Sequence, residues 1–144
     1  MSYSMMLMER CCDYPELLES LRGRSVLIWS CSICASLCNG IGSKASAESL
    51  SDRLTSDGID VKGIIMTGAA CIMSKVRSTS DDSGIDGSDV ILALSCNMGA
   101  DNISRVTGKD VMNPIITIGY GYLDDDGIPR LPDGSTLSSK SSPF

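Results

Sequence analysis

Three cysteines fall within eight positions, Cys31-x2-Cys34-x3-Cys38, directly after an apolar run and just before Gly40 and Gly42. Thiols spaced three and four apart in a glycine-flanked loop cannot all face a core, so metal ligation or redox chemistry is the expected use. Two further cysteines, Cys71 and Cys96, each follow an apolar stretch of their own. A cubane iron–sulfur cluster typically takes three thiolates from a short loop and one from a distant segment. Cys31, Cys34 and Cys38 with either Cys71 or Cys96 would make such a 4Fe–4S ligand set, with one thiol to spare. Zinc is the alternative, but it more often draws on two C-x2-C hairpins, and a second hairpin is missing here. Gly40, Gly42 and Gly99 are expected where backbone turns or comes close to a bound cofactor.

The remaining composition removes other chemistries. The 144 residues include no histidine, which excludes Ser/His and Cys/His nucleophilic pairs and every mixed Cys/His zinc site. No catalytic residue is therefore expected, and a thiol enzyme using Cys31 or Cys96 remains the rival of a non-catalytic redox subunit. A net charge of −6 opposes nucleic acid as a partner, and one Phe and one Trp supply no base-stacking platform. Apolar runs stop far short of the roughly 20 residues a membrane span needs. No export signal is read at the N-terminus, so a reducing cytoplasm is expected, where clustered thiols bind metal more often than they form disulfides. Cys11-Cys12 has no partner spacing and is read as structural. Met5, Met6 and Met8 read as a docking or core patch, and Asp124-Asp125-Asp126-Gly127 as a solvated turn.

The elements that must position these thiols alternate. A helix is expected over residues 13–21, capped by Asp13, with Pro15 in its first turn and Leu17, Leu18 and Leu21 on one face. Strands are expected over 25–30, 61–67, 89–95 and 115–118, and helices over 46–56, 72–77 and 100–107, with a polar loop over 79–88. Alternation of this kind predicts one α/β domain, Rossmann-like or flavodoxin-like, with a parallel sheet of about four strands and helices on both faces. Residues 1–24 would form an N-terminal helical arm, 25–122 the sheet core, and 123–144 a turn-rich, partly disordered tail. Cys31, Cys71 and Cys96 then stand at the carboxyl ends of three strands, the edge at which open parallel sheets bind ligands.

Taken in order, Cys31-x2-Cys34-x3-Cys38 with Gly40 and Gly42, Cys71 after a strand, and Ser95-Cys96-Asn97-Met98-Gly99 after another resemble the cysteine-rich family associated with methylenetetrahydrofolate reductase. The resemblance covers residues 25–121. It implies a Rossmann-like domain binding an iron–sulfur cluster, or zinc in some members, beside a flavin- or corrinoid-containing partner in one-carbon metabolism. A scaffold or activation subunit of a methyl-handling metalloenzyme is the alternative role. The chain departs from the family where Gly-Gly-Glu gives way to Gly40-Ile41-Gly42-Ser43, and where Cys-Gly-x-Gly-x-Gln gives way to Cys96-Asn97-Met98-Gly99-Ala100-Asp101.

Overall fold

A computed structural model describes residues 3–80 and 85–144; the polar loop expected over 79–88 lies in part outside the described residues. The order is β1 (Tyr3–Arg10), α1 (Tyr14–Leu21), β2 (Ser25–Cys31), α2 (Cys34–Leu37), α3 (Lys44–Ser56), β3 (Asp60–Thr67), α4 (Met73–Thr79), β4 (Val90–Leu94), α5 (Asn97–Thr107), β5 (Asp110–Met112), β6 (Ile115–Leu123) and β7 (Pro129–Arg130), closing on a 3-10 turn at Ser139–Ser141. Four strands form a parallel sheet in the order β3-β2-β4-β5, and three form an antiparallel sheet in the order β1-β6-β7.

The parallel sheet follows from its sequences. Val26 to Cys31 of β2 and all of β4 are buried, as continuous apolar strands covered on both faces require. The edge strand β3 instead exposes Asp60 and Lys62, which pair at 2.8 Å, and turns Ile65 and Thr67 inward. Its order makes the chain step one way from β2 to β3 and the other way from β3 to β4 and β5. Right-handed crossovers therefore place α3 on one face and α4 and α5 on the other. Consistent with this, α3 packs on β2 and β3, and α4 packs on α5. Helix α1 joins α3: the Tyr14 hydroxyl donates to Asp57 Oδ2 at 2.6 Å, and the Arg53 guanidinium lies 3.7 Å from the Tyr14 ring centroid.

Ala47, Leu50 and Leu54 are the buried stripe of α3, as their spacing predicts. The helix begins earlier than expected because Ser43 Oγ accepts the Ser46 amide at 3.1 Å and caps it. Asp13 holds the N-cap position of α1, but its carboxylate makes no capping bond and instead pairs with Arg10 at 3.3 Å.

Three expectations are corrected. Residues 3–10 are not part of a helical arm but a strand, paired antiparallel with β6 from Tyr3↔Leu123 to Arg10↔Ile115. The segment expected as the fourth parallel strand is the middle of the other sheet, and β5 takes its place. The C-terminal tail is held, with Ser141 buried and accepting a hydrogen bond from Asn39 Nδ2 at 2.8 Å, and Arg10 lying 5.7 Å from the Phe144 ring centroid. Both sheets share one core, since Met5, Leu7 and Met8 of β1 pack in the same apolar cluster as Leu27, Trp29 and Leu92. Among the described residues, no helix is long and apolar enough to cross a membrane.

Candidate metal centre

Strands β2 and β4 are neighbours, yet the chain leaves their carboxyl ends in opposite directions. Loops that diverge this way open a crevice, the usual ligand site of an open parallel sheet. A cavity of about 630 Å³ lies at this point, and Cys31, Cys34, Cys71 and Cys96 all line it. Cys31 ends β2, Cys34 begins α2, Cys71 follows β3, and Cys96 stands just before α5. Separate strand ends thus deliver four thiols to one space, and all seven cysteines of the chain are free.

Small residues let these loops converge. A Cβ on Gly42 would stand 2.6 Å from Ala35 Cβ and 2.8 Å from the Leu94 carbonyl oxygen, so only glycine passes between α2 and the end of β4. Ser30 fixes the same junction, its hydroxyl donating to the Gly42 carbonyl and, at 3.2 Å, to that of Leu94. A Cβ on Gly99 would stand 2.9 Å from Ser95 Oγ and 3.0 Å from Ala70 Cβ. Its absence brings α5 against the loop that carries Cys71, and Asn102 Nδ2 donates to the Ala70 carbonyl at 3.1 Å to hold it there. Ala69 in that loop adopts φ +55°, a left-handed conformation costing an L residue roughly 1–2 kcal/mol. Gly40 turns at φ +73°. None of Gly40, Gly42 and Gly99 lines the cavity. They shape the loops that present the thiols.

Cys38 stands apart from these four thiols. It is buried away from the cavity, where its Sγ accepts the Met8 amide at 3.5 Å and donates to the Met8 carbonyl at 3.4 Å. One helical turn separates it from Cys34, whose Sγ accepts the Met6 amide at 3.5 Å. Both bonds run to β1, the strand that the sequence reading took for an arm.

The antiparallel sheet supplies the opposite wall through Met6, Thr117, Ile118 and Gly119. Leu7 pairs with Gly119 and Met8 with Thr117, which leaves Ile118 as a bulge facing this space. Asn97 ties the wall to α5: its amide donates to Thr117 Oγ1 at 3.0 Å, and its Oδ1 accepts Asn113 Nδ2 at 3.2 Å. None of these wall residues carries a local sequence signal, because the wall forms only when the two ends of the chain pair.

The surroundings favour the neutral thiol at Cys34 and Cys71. Burial pushes Cys34 up, with Cys31 and Cys96 adding to it and the Met6 amide opposing it. Loss of solvent around its sulfur pushes Cys71 up, as do Cys96, Cys31 and Cys34. Among the described residues, no charged side chain lines the cavity. Cys11 and Cys12 lie elsewhere, in a depression of about 130 Å³ with Arg10, Asp13, Glu16 and Lys140. Among the described residues, no three Cys, Asp or Glu side chains form a group that could hold a metal ion as they stand.

No protein-family model matches the chain, and no curated protein and no solved structure is significantly similar to it.

Proposed function

We propose that the chain binds an iron–sulfur cluster at Cys31, Cys34, Cys71 and Cys96 and serves as an electron-transfer subunit of a larger redox assembly. The observation that carries this reading is the convergence of four thiols on one mostly apolar cavity at the reversal point of the parallel sheet. Four thiolates are the usual ligands of a cubane cluster. Ringing a space of about 630 Å³, they suit an occupant wider than a single zinc ion, whose sulfurs must all approach to about 2.3 Å. Such a cluster, when bound, takes up or gives back one electron. The chain's own part is to hold it, to surround it with the apolar side chains of Met6, Ile33, Ala35 and Ile118, and to set its potential through the Met6 amide on Cys34.

The strand order β3-β2-β4-β5 supports a flavodoxin-like arrangement, with the ligand at its reversal point. The resemblance of the cysteine motifs supports a flavin- or corrinoid-containing partner in one-carbon metabolism, in a reducing cytoplasm. Anaerobic reconstitution with ferrous iron and sulfide tests the reading. About four iron and four sulfide per chain, with a reversible one-electron couple seen by EPR, is the expected result. Colourless protein holding about one zinc and no iron would overturn it, and a cluster without a reversible couple would favour a scaffold.

Metal uptake should also depend on pH. Cys34 and Cys71, raised above the ordinary thiol range, are protonated near neutrality, so binding must displace their protons. Affinity therefore rises with pH toward those raised values. Titration of the metal-free protein with cobalt(II) in weak buffer at two pH values checks it; a pH-independent affinity would contradict thiol ligation.

A further inference from the structure

We infer that the Met6 backbone amide tunes the metal centre through Cys34, and that Cys38 is the positioning residue that holds it in place; the inference rests on the cluster reading above. Strand β1 is the end strand of its sheet, and its outer edge faces α2. Met6 and Met8, two apart, present their amides along that edge, while Cys34 and Cys38, four apart, share one face of a helical turn. Two strand residues span about 6.6–6.8 Å and a helical turn rises about 5.4 Å, so the two pairs meet in register.

The pairs have different tasks. Cys38 is fully buried, outside the cavity, and both donates to and accepts from Met8, as a neighbouring strand would. That reciprocal contact holds the turn of α2 against β1, whose own register is set by its ladder with β6. Cys34 lines the cavity, and its sulfur receives the Met6 amide at 3.5 Å. An amide aimed at a ligating thiolate stabilises the state carrying more negative charge, which is the reduced one. The Met6 amide therefore raises the reduction potential of a cluster held by Cys34.

Two variants isolate the amide. Met6→Ala keeps it; Met6→Pro removes it, and an end strand tolerates proline where the amide points off the ladder. Both would be reconstituted with iron and sulfide and titrated with dithionite under EPR. The expected result is a more negative potential for Met6→Pro than for Met6→Ala, and loss in Met6→Pro of a proton coupling that wild type exchanges in deuterated water. Equal potentials in the two variants, or no exchangeable coupling in wild-type cluster, would overturn the inference while leaving the cluster reading intact. Failure of wild type to take up iron and sulfide would instead remove the reading itself, and the inference with it. Cys38→Ala should lower the potential in the same direction as Met6→Pro, because the turn carrying Cys34 then loses its second anchor on β1 and the Met6 amide bond loosens; an unchanged potential would refute its positioning role.

Discussion

Cys34→Ser should take up no cluster on reconstitution, whereas Cys38→Ala and Cys12→Ser should take up iron as the wild type does. The three side chains separate two ligand sets that the sequence alone does not. If the loop triplet were the site, Cys34 and Cys38 would behave alike; in the structure only Cys34 lines the cavity, and Cys38 is spent on Met8. Losing one of four thiolates leaves a cluster with an open corner and a buried apolar site around it. Losing Cys38 strands the Met8 amide and carbonyl instead, at a cost of about 1–3 kcal/mol in stability with the ligands untouched. Cys12 lies with Cys11 in a separate depression and should be silent in both measurements. Iron and sulfide analysis beside a thermal melt separates the cases. Folded Cys38→Ala protein without iron would return Cys38 to the ligand set and Cys71 or Cys96 to packing.

Much of the sheet that carries the site was legible because its signals are local. Val26 to Trp29 and Val90 to Leu94 are apolar without interruption, and such runs have few alternatives to a covered parallel strand. Ala47, Leu50 and Leu54 repeat at the helical period. From those elements alone, Cys31, Cys71 and Cys96 could be placed at one sheet edge, and the cavity lies there.

What escaped the sequence is long-range. Residues 3–10, rich in methionine, carry no alternation that announces a strand, and their partner sits at the far end of the chain. Gly121 lies within β6 because a Cβ there would collide with the Arg130 carbonyl oxygen and with Leu7, contacts that only the distant pairing reveals. Once β1 was missed, nothing remained to claim Cys38. Its spacing from Cys34 is that of two side chains facing a common neighbour, here the edge of β1. The same omission hid Met6, Thr117 and Ile118, which form the wall across from the thiols.

Trp29→Ala should remove about 3–5 kcal/mol of folding free energy, the range for deleting a fully buried large aromatic. Trp29 is fully buried in β2 between Ile65 of β3 and Ala93 of β4, and the small Ala93 leaves it room. Its indole Nε1 donates to Thr67 Oγ1 at 2.7 Å, which in turn pairs with Thr79 Oγ1 at 2.9 Å, tying β2 to β3 and α4. Trp29→Phe keeps most of the apolar volume and loses only the indole donor, so its cost should stay near 1–2 kcal/mol, with Thr67 still partnered by Thr79. A domain stable by about 5–15 kcal/mol can lose a large part of its margin to the first change and little to the second. Urea unfolding followed by far-ultraviolet circular dichroism measures both, since the chain's one tryptophan is the residue replaced. The denaturant slope should hold in each variant while the midpoint falls, steeply for alanine. A loss below about 1 kcal/mol for Trp29→Ala would mean that β2 is not packed as the centre of the sheet. In that case the strand delivering Cys31 and Cys34 would have no fixed position from which to build a metal site.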